Sequence, residues 1–152
     1  MKTALTLVLV LTCPIMALGR IKPLWSYQKM QEQADLIVIA KPISTTNTSE
    51  RAVLPNISPN VHVVGVETEF AVRVVMKGEG AVQKITLHHY RLANVEDGRV
   101  MRGAPQLVSF DPKQHPCYLL FLKKEADGRF APVTGQTDPG ADCVIKLESD
   151  AQ

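Results

Sequence analysis

The chain has 152 residues, with 17 Lys and Arg set against 15 Asp and Glu, a formal net charge of +2. That even balance excludes the electrostatic footprint of a nucleic-acid binder, which gathers basic residues on one face. With 45% hydrophobic residues the chain can bury the core of one domain, and no apolar run beyond residue 19 approaches the length of a membrane span.

Lys2 gives the chain a basic start, and Ala4 to Leu11 follow as an apolar run broken by Thr6. Pro14 then leads to the small residues of Ala17-Leu18-Gly19. This layout predicts a secretory signal peptide over residues 1–19, cut before Arg20, because its apolar centre is too short to cross a bilayer. A lipid-modified Cys13 is the alternative, and Val10-Leu11-Thr12 fits it poorly. Residues 20–152 then form a single exported domain, secreted or periplasmic, in an oxidising compartment. Cys117 and Cys143 remain after the leader, and such a pair in an exported chain predicts a disulfide. Two buried thiols are the other reading.

Leu24, Tyr27, Met30 and Ala34 recur at helical spacing, with Ser26 as the cap, so a short N-terminal helix is expected. Leu36 to Ala40 reads as a strand buried on both faces, and Ser44 to Pro59 as a long exposed loop. From Thr68 to Lys77, Phe70, Val72, Val74 and Met76 alternate with their neighbours, which predicts a strand with those four facing the core. Gly78-Glu79-Gly80 makes a turn, and Lys84 to Arg91 returns with Ile85 and Leu87 inward. Gln106 to Phe110 is expected as a short strand and Tyr118 to Leu122 as a central one. Asp127-Gly128 joins the latter to Arg129–Val133 in a hairpin, with Pro132 near the end of its second arm. A last strand is expected near Cys143 to Leu147. Six or seven strands without alternating helices point to a mainly β fold, a small antiparallel barrel or sandwich.

Three segments carry a resemblance: Ala34-Asp35-Leu36-Ile37-Val38, the strand from Glu69 through Met76-Lys77-Gly78, and Tyr118-Leu119-Leu120-Phe121-Leu122-Lys123 with the tail that follows. Together they resemble exported bacterial proteins of unknown function that are similar to the netrin-module and tissue-inhibitor-of-metalloproteinase-like OB barrels. The resemblance spans roughly residues 25–147 and implies an OB-like barrel of about five to seven strands. The metalloproteinase inhibitors of that group chelate zinc through a mature N-terminal cysteine. Here the expected mature start is Arg20-Ile21-Lys22, so that mechanism does not carry over.

Signatures of common active sites are absent: no G-x-S-x-G, H-E-x-x-H, C-x-x-C or phosphate-binding glycine loop. No cofactor or metal is therefore assigned. His88 and His89 are adjacent on one strand and point to opposite faces, which keeps them from sharing a metal. His89 and Arg91 continue the inward face of Ile85 and Leu87, and so form a polar pair at the mouth of the barrel. A ligand or a partner's carboxylate fits there, and a solvated strand end is the plainer reading. Gln136 and Asp138 lie in Thr134–Asp142, where hydroxyl, amide and carboxylate oxygens gather without the spacing of a calcium loop. Good turn chemistry explains the same residues. Asn47-Thr48-Ser49 and Asn56-Ile57-Ser58 match the glycosylation acceptor pattern, and Trp25 beside Tyr27 reads as a helix anchor.

The expected function is a non-catalytic binding module for an extracytoplasmic protein or envelope component. A protease-inhibitor-like protein without the chelating cysteine, and a small metal-dependent hydrolase centred on His89, are the alternatives.

Overall fold

The computed structural model describes residues 25–54, 61–93, 107–114, 116–135 and 143–147. The expected signal peptide, Cys13, Asn56, Gln136 and Asp138 lie outside them. The described elements are a helix α1 (Tyr27–Gln33) and six strands: β1 (Leu36–Leu54), β2 (Val61–Lys77), β3 (Lys84–Leu92), β4 (Cys117–Lys124), β5 (Phe130–Pro132) and β6 (Val144–Leu147). One 3₁₀ turn, Pro112–Gln114, precedes β4. No described helix is long and apolar enough to cross a membrane.

The strands form one sheet in the order β1-β2-β3-β5-β4-β6, and β1 also pairs with β4. A ring of hydrogen bonds therefore runs β1-β2-β3-β5-β4 and back to β1, an OB-like small β domain as expected. The ring is uneven. β1 and β2 share a long antiparallel ladder, whereas β3 and β5 meet in parallel at a single rung, Leu87 opposite Phe130.

Inside the ring, Val38, Ala40, Phe70, Leu87, Leu120 and Leu122 have no exposed surface, and Phe110 and Tyr118 join them. Phe110 is the wedge. Its ring stands edge-on to Phe70 and Tyr118, at centroid distances of 4.9 and 5.1 Å. Edge-to-face aromatic pairs of this kind add about 1 kcal/mol beyond the area they bury. Leu107–Phe110 does this in irregular backbone and not as the expected strand, since an inserted ring needs no ladder partner.

Outside the ring, α1 covers β1 and β4. Ser26 caps it by accepting the Lys29 N–H, and its inward residue Met30 packs with Ala34, Ile37, Phe121 and Cys143. Burying Met30 contributes about 2–3 kcal/mol. Asp35 pins the exit of the helix: its N–H donates to the Leu122 carbonyl, and its carboxylate accepts from the Lys124 N–H and from Lys123 Nζ.

Three further expectations are corrected. The polar stretch from Ser44 is no loop as far as Leu54; it continues β1 and pairs with β2. Val74 and Met76 do not face the core but are 48% and 62% exposed, and Val75 packs inward instead. Register shifts explain this: Ala40 opposes Val72 while Ile39 opposes Val74, so Arg73 is an extra residue, and Met76 is a second one between the partners of Val38 and Ile37. Each bulge flips the faces that follow it.

The expected Cys117–Cys143 disulfide is the third of these, for the two thiols are not joined. Cys117 sits opposite Leu147 and Cys143 precedes Val144, the partner of Leu120. Four rungs of ladder separate them by roughly 13 Å at the ordinary strand rise, well beyond the reach of a disulfide. Cys143 is instead a buried hydrophobe whose sulfur accepts from the Thr134 hydroxyl at 3.2 Å, and burial raises its thiol pKa.

Candidate functional site

β3 presents two neighbouring histidines to opposite faces, and each is buried. The period of two puts His89 on the core side, continuing Ile85 and Leu87. Its Nε2 lies 2.9 Å from Thr68 Oγ1, which lies 3.0 Å from Thr45 Oγ1, so a polar chain runs from the core outward. The ring also stands edge-on to Phe110 at 5.2 Å. Burial lowers the His89 pKa to about 4, helped by the nearby His88; the backbones of Val108 and Tyr90 pull weakly the other way. At neutral pH His89 is thus an uncharged imidazole. Its Nδ1 has no well-aligned hydrogen-bond partner among the described residues.

Two residues on, Arg91 reaches the surface. Its Nε donates to Asn47 Oδ1 at 2.8 Å and its Nη1 to the Leu92 carbonyl at 3.1 Å. Between Arg91 and the Leu107–Phe110 segment lies a cleft of about 270 Å³, lined by His89, Asn47, Thr45, Val66, Leu107 and Phe110 among others. The sequence-predicted pair His89 and Arg91 therefore share one cleft, one at its floor and one at its rim. Asn47, singled out only as a glycosylation acceptor, stands beside them on β1. Gln136 and Asp138 fall outside the described residues.

On the other face of β3, His88 is the hub of a charged network that no spacing in the sequence announces. Its Nδ1 lies 3.1 and 3.0 Å from the two carboxylate oxygens of Glu125, and its Nε2 lies 3.1 Å from Glu50 Oε2. Tyr90 donates its hydroxyl to Glu50 Oε1, and burial, with the Glu50 contact second, raises the phenol to about 12. Arg129 binds Asp127 and also reaches Glu67 Oε1 at 2.9 Å, which ties the β4–β5 turn to β2. The Asp127 hydrogen bond, ahead of the others, makes the guanidinium harder to deprotonate.

Gly65 lets this network form. A side chain there would collide with that of Thr48 and stand 2.9 Å from Glu50 Cβ. β1 carries extra residues in this region, between the Asn47–Val66 and Arg51–Val64 pairs. That irregularity folds Glu50 over the bare glycine towards His88.

His89 meets a hydroxyl and not a carboxylate, and among the described residues no group of three or more His, Cys, Asp or Glu is placed to hold a metal. The cleft can bind by hydrogen bonding and apolar contact. No protein-family model and no curated protein matches the chain.

Proposed function

We propose that the chain is an exported, non-catalytic binding module that recognises a protein or envelope component through the cleft beside β3. The observation that carries this reading is the pairing of Arg91 and Asn47 at the rim with Val66, Leu107 and Phe110 below. Small binding sites combine mostly apolar walls with a few placed polar groups in this way. OB-type domains bind across the β2–β3 face and its flanking loops, where this cleft lies, and that analogy of fold supports the location and not the ligand. Export rests on the leader pattern of residues 1–19.

The test is site-specific photocrosslinking in the producing organism. A photoreactive residue at Ser109, in the cleft, is compared with one at Glu79, in the exposed turn after β2. The expected result is a discrete crosslinked species from Ser109 alone, in the extracytoplasmic fraction. Crosslinks from neither position, or equal yields from both, would remove the cleft as the binding surface.

A further inference from the structure

The cleft has an unusual division of labour. Its charge is concentrated in one guanidinium, its floor is uncharged and largely apolar around His89, and its volume of about 270 Å³ is at the small end of ligand sites. Arg91 has five N–H donors, of which Nε and one on Nη1 are engaged with Asn47 and Leu92. The remaining donors on Nη1 and Nη2 keep the flat fork that matches a carboxylate in a bidentate pair. Among the described residues no carboxylate lies within ion-pair distance of Arg91, although Lys84, Lys123 and Arg129 each have one. Asn47 turns its carboxamide oxygen to Arg91, so its NH₂ is a second donor at the rim.

Below the rim, His89 is neutral and presents no charge to attract or repel. The walls there are Val66, Leu107 and Phe110. A space of this size takes one side chain together with its terminal group and excludes a drug-sized molecule.

We propose that this cleft captures the C-terminal carboxylate of a polypeptide ending in an apolar residue. The carboxylate pairs with the Arg91 fork and the Asn47 amide, and the last side chain enters between Val66, Leu107 and Phe110. Capture of a chain terminus by a few convergent donors is a recurrent mode of peptide recognition. An internal acidic side chain is a poorer fit, because Asp and Glu bring a carboxylate without the adjoining apolar group. The proposal rests on the cleft being the binding surface, and its test separates the two claims.

The test titrates the ¹⁵N-labelled protein with Ala-Ala-Ala-Leu as the free acid, with the same peptide amidated at its C-terminus, and with Ala-Ala-Ala-Glu carrying an amidated terminus. The expected result is saturable shifts of the Leu107–Phe110 and Asn47 signals by the free acid, weakened in high salt. Loss of a charge-assisted bidentate pair corresponds to roughly a 10- to 100-fold weaker affinity, so the amidated peptide should bind that much more weakly. Arg91→Gln should erase the difference between free acid and amide while leaving the remaining amide spectrum unchanged. Equal shifts from free acid and amide would overturn carboxylate capture and leave the cleft as a binding surface. Stronger binding of the glutamate peptide would overturn the terminal claim in favour of an acidic side chain. No shifts from any peptide would overturn the proposal, while the Ser109 crosslink would still decide the broader reading.

Discussion

His88 Nδ1 faces both carboxylate oxygens of Glu125, and this contact crosses the weakest part of the ring. β3 and β5 share one backbone rung, Leu87 opposite Phe130, so side chains supply much of what joins them. Glu125 leads the β4–β5 turn, where its N–H donates to the Arg129 carbonyl, and His88 lies one residue beyond that rung on β3.

Replacing His88 by Leu should therefore destabilise the domain by about 1–3 kcal/mol, since it leaves Glu50 and Glu125 without their shared partner. Urea unfolding measures the loss. A double-mutant cycle with Glu125→Gln should give a coupling of roughly 1 kcal/mol. A coupling indistinguishable from zero would mean that packing alone holds the seam.

Gly65→Ala should act on the same network from the opposite strand. The new methyl meets Thr48 and Glu50, and it moves Glu50 away from His88 and Tyr90. A cost of about 1–3 kcal/mol is expected from overpacking. Part of that cost should vanish when His88 is already Leu. Full additivity of the two substitutions would sever the proposed link between the glycine and the histidine.

Stability should depend on pH through His89. Its folded pKa, about 4, lies below the 6.5 of an unperturbed histidine, so the unfolded chain takes up this proton first as pH falls. The contribution is fully present above about pH 6.5 and is lost between there and pH 4, on the order of 3 kcal/mol in all. Asp35 and Asp127, both lowered below the usual 3.8, lose theirs in a separate and more acidic window. For Asp35 the Lys124 N–H is the main cause, and for Asp127 the Arg129 side chain. Urea midpoints between pH 7.5 and 4.5 should fall steeply for the native chain and less for His89→Phe. Parallel curves would exclude His89 as the titrating group.

Both cysteines of the folded domain should be alkylated without a reducing agent. Cys117, half-buried, should label first, and Cys143 only as the domain opens, since it is buried and its thiol pKa is raised. Peptide mapping after timed iodoacetamide treatment reads the order. Protection of both residues, relieved only by a reductant, would restore the bridge that the strand ladder rules out.

Much of the fold was legible where one physical signal stood alone. Met30 and Ala34 at helical spacing, the apolar runs of β1 and β4, and Asp127-Gly128 each led to the element found. Ser44–Leu54 misled because its Thr, Ser and Asn residues read as turn chemistry, while long-range pairing with β2 makes it strand. Propensity yields to tertiary pairing there. Val74 and Met76 misled because a bulge costs one residue in a ladder and leaves no mark in the alternation. The site divides in the same way. His89 and Arg91 could be placed together because period two acts within one strand. Glu50 and Glu125 could not be joined to His88, since only the closed ring brings those distant positions together.

The single rung between β3 and β5 also has a temporal side. The β1–β2 and β2–β3 ladders connect strands adjacent in the chain, whereas joining β3 to β5 must await the far end of a long intervening segment. Such distant contacts form late, after their loop-closure entropy has been met. Until then the outer edge of β3 is an unpaired strand edge, the kind of template on which chains associate with one another. The residues along that edge include His88, His89 and Arg91. The imidazoles and guanidinium that organise the finished domain thus also make its most vulnerable border polar while the nascent chain waits to close.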